Sequence, residues 1–550
     1  MRSVSRSLAL SLLLVIAAFG GVLTTAATTH VASAARLSPT QLLGLLGSER
    51  SMGVNPGKVA VVSPVAAASA GRRSGACTNA PDAGGWLTTS GMWVVDAATN
   101  CKIRLEGVNW YGMQTQYYVP AGLDFASYQS ILADIKDLGF NSVRIPLSDA
   151  FVRYSNKETV TKYVKKSPEL AGMHPLDVLD LIVRQAQDDG LWVILDNHDS
   201  AAVTKSQIHS EQKSASPVWT AKNYPQSAWI NDWTTLARRY GSGHYCGMYS
   251  QAASGCQNTP TVVGFDLHNE PHTSHHSGNF WNMPSYLKYG SVWGPCTVSL
   301  CGKTYAKWWS SESATQQAAS NWPAAATLAA NTVLAVNPHL LMIVEGTQLY
   351  PEVTKKSPKG VDSYWWGSIL KGVATDPINL SSPQFNQQLV YSPHEWGPWK
   401  FDSPQFYSGK SDYNSQYKGS SSEFNSQWGF ILHSSTPHPM WLGEFNTCNM
   451  VPNRHNMSKL VPRITNVVQC TYDTRKNSQG LWWRILMQFL QKNPEIGWSY
   501  YPLNPVNSLD ETSNNSLLYP KASYPHNVDQ DVMNGLKSLE GAPPQSAAQR

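Results

Sequence analysis

A chain of 550 residues with 42% hydrophobic and 14% charged side chains can bury a large core, which excludes a disordered polymer. Its net charge of +5 is small for the length, and no long basic run follows a phosphate backbone, so nucleic acid is not an expected partner. The 21 Trp and 24 Tyr are abundant flat side chains of the kind that pack cores or form platforms for the apolar faces of ligands.

In chain order, Arg2 and Arg6 precede an apolar run from Leu8 to Leu23, and a small-residue stretch ending in Ala32-Ser33-Ala34 follows. This pattern predicts a secretory signal over residues 1–35. Ser11, Gly20 and Gly21 interrupt the run, leaving it short of the ~20 clean apolar residues that span a bilayer. The expected location is therefore extracellular, with no membrane attachment after cleavage and no later spanning segment. Residues 36–75, rich in Ala, Ser, Gly and Val, read as a linker or propeptide, residues 76–540 as one catalytic barrel, and residues 541–550 as a flexible tail. All eight cysteines lie beyond the signal, so disulfides between sequence neighbours are expected, and a zinc site is not. The sequons at Asn379, Asn456 and Asn514 fit secretion.

Short aliphatic runs then alternate with longer helix-compatible stretches, the pattern of βα units around a parallel sheet. Strands are predicted at 103–109, 142–146, 192–196, 262–268, 340–345, 389–392, 440–444 and 497–501. Helices are predicted at 128–138, 175–188, 322–336 and 480–491. Eight strands with eight crossovers specify a closed (β/α)8 TIM barrel. Residues 85–101 read as an N-terminal hairpin plugging its floor, and 200–216, 272–301 and 403–422 as long loop insertions, some bearing disulfides.

Catalytic groups of such a barrel sit at the C-terminal ends of its strands, so the polar residues directly after the apolar runs are the candidates. These are Arg144; Asp196, Asn197 and His198; His268, Asn269 and Glu270; Glu345; His394 and Glu395; and Glu444. A ring of Glu, His, Asn and Arg with many Trp suits glycosidic cleavage, in which one carboxylic acid protonates the leaving oxygen and a second carboxylate attacks or activates water. Position alone does not say which two of Glu270, Glu345, Glu395 and Glu444 act. The cluster His272, His275 and His276 reads as an exposed loop, because it has no helical spacing; no metal and no cofactor are expected. The chain has no G-x-S-x-G elbow, which argues against a serine esterase.

The segments Asp266-Leu267-His268-Asn269-Glu270-Pro271, Tyr364-Trp365-Trp366-Gly367 and Trp441-Leu442-Gly443-Glu444-Phe445 resemble glycoside hydrolase family 5 (cellulase family A), especially its bacterial-type endo-β-1,4-glucanases. Gly107-Val108-Asn109-Trp110, Asn141-Ser142-Val143-Arg144-Ile145-Pro146 and Ile194-Leu195-Asp196-Asn197-His198 extend the likeness in the same order, across about residues 85–505. The resemblance implies a retaining double displacement with Glu270 as acid/base and Glu444 as nucleophile, their carboxyl groups ~5 Å apart. It implies that Arg144 sits by the nucleophile, Asn269 holds the sugar 2-hydroxyl, and His198 and His394 line the subsite at the scissile bond. Where the family usually carries His-x-Tyr, its phenol on the nucleophile, this chain reads His394-Glu395-Trp396. Trp396 either takes over that contact through its indole N–H or reshapes the subsite. Tyr501 stands at the place of the family's Trp platform, with Trp498 as wall or core. Trp110, Trp365 and Trp366 are sugar platforms or core, Trp110 being kept as a substrate-binding candidate. The expected partner is a β-linked polysaccharide or oligosaccharide bound by a monomer. A β-mannanase or other β-glycosidase, and a non-catalytic carbohydrate-binding protein, are the alternatives.

Overall fold

The computed structural model describes residues 77, 79, 85–204, 218–221, 223–241, 260–272, 291–294, 306–307, 309–311, 313–351, 361–397, 423–447, 468–473, 479–503, 517–518 and 528–540. The signal, linker and tail readings lie outside them, as do residues 403–422 and most of the other two loop insertions.

The chain enters through three short antiparallel strands, β1 (Leu87–Ser90), β2 (Trp93–Asp96) and β3 (Lys102–Ile103). Eleven more follow: β4 (Glu106–Asn109), β5 (Ser142–Ser148), β6 (Trp192–Asp199), β7 (Val262–Asp266), β8 (Leu341–Glu345), β9 (Leu349–Pro351), β10 (Val361–Ser363), β11 (Leu389–Ser392), β12 (His394–Trp396), β13 (Trp441–Asn446) and β14 (Gly497–Tyr500). β9 and β10 form a small antiparallel ribbon. The other nine make one parallel sheet in the order β11-β8-β7-β6-β5-β4-β14-β13-β12. The two ends of that order, β11 and β12, are separated only by Pro393, and a parallel bridge joins Tyr391 to Met440 just before β13. They are two halves of one strand, so the sheet closes into the eight-stranded barrel that the sequence predicts.

Local chemistry explains the crossovers. The helix Tyr128–Asp137 starts at Ser127, whose hydroxyl accepts the Ser130 N–H. The helix Pro175–Asp188 has Pro in its first turn, where the missing N–H costs nothing. Asn321 caps Trp322–Val336, an Ala-rich helix packed against Gln226–Arg239. The helix Gln479–Lys492 precedes the final barrel strand.

The predicted first strand, 103–109, is divided. Lys102–Ile103 pairs backwards with β2, whereas Glu106–Asn109 enters the barrel. At the corner the Arg104 N–H donates to the Asn79 side chain instead of a strand. β5 and β6 run further than predicted, because Leu147 and Ser148 still pair with Asn197 and Asp199.

Leu87 and Val94 of the hairpin share an apolar cluster with Ile103 of β3 and with Trp192, Val263, Leu341 and Trp441, which lie at or next to the first residues of barrel strands. The hairpin therefore does close the floor. Each such fully buried large side chain contributes about 1.5–3 kcal/mol relative to exposure. The Cys77–Cys101 disulfide, Cα atoms 5.5 Å apart, ties the chain before the hairpin to its third strand. That pair follows the predicted neighbour pairing, and Cys470 is also disulfide-bonded. The other five cysteines lie outside the described residues.

Candidate active site

Side chains from β4, β6, β7, β8 and β13 converge on one buried arginine of β5. Strand register sets Asn109 beside Arg144, Asp196 beside Asp266, and His394 beside Glu444. Arg144 is wholly buried and donates from Nη1 to Glu444 Oε1 at 2.6 Å and to Asn109 Oδ1 at 3.0 Å. Its Nε and Nη2 both reach Asp266 Oδ2, at 3.1 and 2.9 Å, and Nη2 also donates to Asn269 Oδ1 at 3.0 Å. Asp196 and Glu345 complete the surround at 3.1 and 3.2 Å. Burial disfavours its charge, but the four carboxylates outweigh this and raise the guanidinium pKa well above its ordinary value. Arg144 is a permanent cation at the foot of the site.

His394 is the second positive centre. Its Nε2 lies 3.1 Å from Glu345 Oε1, and its Nδ1 lies 3.0 Å from Glu270 Oε1 and 3.9 Å from Glu444 Oε2. Burial opposes its protonation, yet the Glu345 and Glu444 charges and its hydrogen bonds to Glu270 and Glu345 push its pKa well up. Glu345 and Asp266 are themselves raised by burial, Asp266 to about 6. Several buried acids around two cations thus hold protons between them rather than all ionising.

Glu270 and Glu444 face each other across this cluster. A carboxylate oxygen of each and a His394 ring nitrogen all lie within 4.8 Å of one another. Glu270 is partly exposed, whereas Glu444 is almost fully buried. Glu270 adopts φ +47°, a left-handed conformation unusual outside glycine. That conformation aims its backbone N–H at Glu345 Oε2, 2.7 Å away. Gly367, at φ +71°, lies against the same spot, and a Cβ there would collide with Glu345 Oε2 and press on the Glu270 backbone. Among the described residues, His and acidic groups at cation-binding spacing occur only in this cluster, in two sets sharing His394. The positive charge those acids need is already supplied by Arg144 and His394.

Two carboxyl groups at this separation, one open to ligand and one paired with arginine, can act on a single acetal carbon. The comparisons agree with that chemistry. The family described as "Cellulase (glycosyl hydrolase family 5)" matches residues 101–506. The chain belongs to glycosyl hydrolase family 5. An endoglucanase of Paenibacillus polymyxa is 28% identical over 422 residues, covering 76% of this chain and 80% of that one. The major extracellular endoglucanase of Xanthomonas campestris is 26% identical over 304 residues, covering 55% of this chain and 48% of that one. Among solved structures, a cellotetraose complex of an endocellulase from Pyrococcus horikoshii aligns with TM-score 0.59 and 24% identity, over 83% of this chain and 98% of that one. That likeness carries the fold.

For this family 5 hydrolase, the structure brings Arg144, Asn269, Glu270, His394, Trp396 and Glu444 together. His198 joins them from β6, its Nδ1 2.7 Å from Asp196 Oδ2, and that carboxylate raises the His198 pKa against the effect of burial. Tyr501 is half-buried at the rim, edge-on to Trp396 with ring centres 5.9 Å apart, and packs beside Tyr111, Tyr117 and Tyr163.

Two readings are corrected. Trp110 is no platform: it is fully buried, and its indole donates to the Ala121 carbonyl at 2.9 Å, because Asn109 takes the inward position and turns the next residue outward. Of the two readings of Trp396, the one in which its indole takes over the contact with Glu444 gives way: the indole N–H donates to Glu270 Oε1 at 3.2 Å. Trp498 is core, Trp365 is buried, and the half-buried Trp366 stacks on His272 at 3.8 Å.

Glu395 is absent from the cluster. With His394 and Trp396 inward, strand alternation turns it outward, where it accepts from Trp428 and Tyr364, and burial lifts it to about 8. Asp266, Asn109 and Glu345 are functional positions that motif reading leaves without a role. Asp266 opens the quoted His-Asn-Glu motif, Asn109 ends the first barrel strand and Glu345 ends the fifth, so strand-end position was the available signal.

Proposed function

We propose that this chain is a secreted endo-acting β-1,4-glucanase in which Glu270 is the acid/base and Glu444 the nucleophile. The observation that carries the reading is that a carboxylate oxygen of each lies within 4.8 Å of one of the other, the close spacing of a retaining pair and not the wider one of an inverting pair. The chain is a retaining glycoside hydrolase that cleaves β-1,4-glucan. In the first step Glu270 gives its proton to the glycosidic oxygen, the C1–O bond breaks, and Glu444 forms a bond to C1. In the second, Glu270 takes a proton from water, which attacks C1 and releases Glu444. Arg144, donating to Glu444 Oε1 at 2.6 Å, holds and orients that carboxylate. With its Oδ1 on Arg144, the Asn269 amide presents its NH2 donors to the sugar 2-hydroxyl. His198, Trp366 and Tyr501 line the sugar path.

Secretion rests on the N-terminal pattern and on the extracellular relative; among the described residues no helix is long and apolar enough to cross a membrane. The test is Glu270→Gln and Glu444→Gln on soluble cellulose derivatives, with product sizing. Losses of ~10²–10⁴-fold for Glu270→Gln and roughly 10⁴-fold for Glu444→Gln are expected; full activity in either variant overturns the assignment. A mannan, xylan and mixed-linkage glucan panel separates a β-mannanase, and internal cleavage of long chains supports endo action.

A further inference from the structure

Glu270 Oε1 receives two nitrogen donors from one strand. His394 Nδ1 stands 3.0 Å and Trp396 Nε1 3.2 Å from that single oxygen. Both side chains are buried, and Trp396 is braced edge-on by Tyr501, so neither donor is a mobile surface contact. The carboxylates around His394 together favour a ring protonated at both nitrogens, and its Nδ1 faces Glu270 Oε1, so Nδ1 is a donor. An oxygen that already accepts two N–H bonds is a poor place for a carboxylic proton, which would point at a donor.

We propose that Trp396 is a positioning residue which, with His394, confines the transferable proton of Glu270 to Oε2 and holds down the pH at which that proton is lost. The inference rests on Glu270 being the acid/base. The reaction balances as before: the proton leaves Oε2 for the glycosidic oxygen as the C1–O bond breaks, and Oε1 keeps both donors while the carboxylate forms. The indole bond strengthens as charge develops, so it favours proton release and opposes holding the proton at high pH.

The titratable groups facing Glu270 come from several elements. They are Glu345 of β8, His394 of β12 and Glu444 of β13, with Arg144 of β5 and Asp266 of β7 behind them. Asp196 and His198 of β6 lie beyond, and His272 Nδ1 sits on the Glu270 carbonyl, 2.5 Å away. Trp396 is the one that contributes a donor without a charge of its own. Its removal changes a hydrogen bond and no net charge.

The test compares pH profiles of kcat/KM for the parent, Trp396→Phe, and a protein with benzothienylalanine at position 396. The last keeps the ring's shape and deletes only the N–H. For an unactivated cello-oligosaccharide, both should shift the alkaline limb upward by about half to one pH unit. For dinitrophenyl cellobioside, whose leaving group needs no proton, the isostere should show no such shift of the alkaline limb and a smaller change in kcat/KM than on the oligosaccharide. Coincident alkaline limbs, or equal losses on both substrates, overturn the proposal. Glu270→Ala on the same pair separates the two readings: a large loss on the oligosaccharide with the aryl substrate spared upholds the acid/base assignment. Without that contrast the assignment itself fails.

Discussion

Two buried arginines mark the two ends of the barrel, and their surroundings differ in kind. At the floor, Arg104 donates to three backbone carbonyls, those of Ile496, Leu539 and Leu490, at 2.9, 2.7 and 3.1 Å. Its nearest carboxylate, Glu106, is 3.7 Å away, and burial lowers its pKa. At the mouth, Arg144 is held by four carboxylates that outweigh burial and raise its pKa. The floor arginine closes chain ends with neutral acceptors, whereas the mouth arginine balances charge that a reaction can use. Burial of a cation therefore does not mark a site; its partners do.

The comparison is tested most strongly at the mouth. Arg144→Lys keeps the charge but loses the planar fork that spans Glu444, Asn109, Asp266 and Asn269. It should lower kcat/KM by about 10²–10³-fold in protein that still folds. Steady-state kinetics alongside circular dichroism decide this, and near-parental turnover would remove Arg144 from the chemistry.

The floor should answer in stability. Arg104→Met strands three buried carbonyls and leaves Glu106, already raised to about 7 by burial, with less reason to ionise. Denaturant unfolding should show a loss of about 3 kcal/mol, with kcat per folded molecule within about twofold of the parent. A large loss of turnover in folded protein would erase the distinction between the ends.

The smallest effect sharpens the contrast within one strand. Glu395 points away from the site and holds its proton up to about 8 in the folded protein, against 4.5 as its ordinary value. Between those values the folded state binds more protons than the unfolded one. Parent stability should therefore fall as pH rises from about 4.5 to about 8 and level off above. Glu395→Gln cannot ionise, so relative to the parent it should gain about 3–4 kcal/mol across that window, measured by unfolding at pH 5 and pH 8. Parallel pH-stability curves would contradict a buried neutral Glu395.

Much of this site is legible without coordinates. Arg144, Asn269, Glu270, His394 and Glu444 each come within a few residues of the point where a β-branched or aliphatic run gives way to polar residues, and in a barrel that position is the mouth. The same rule could not separate Glu395 from Glu345, because strand-end position does not tell inward from outward. Fixing His394 inward is enough to exclude Glu395, but only the folded register fixes His394. Trp110 follows Asn109 in a motif-like segment, yet the turn after β4 sends its indole to Ala121.

The sequence by itself determined the eight strands, the helices between them and the carboxylates at their ends, because these follow from local periodicity and from where apolar runs stop. The tertiary structure alone decided which partners those side chains meet. The indole of Trp396 lies on Glu270 and not on Glu444, and Glu345 joins His394 to the Glu270 backbone. Such pairings depend on the register and closure of strands far apart in the chain, which no local pattern encodes.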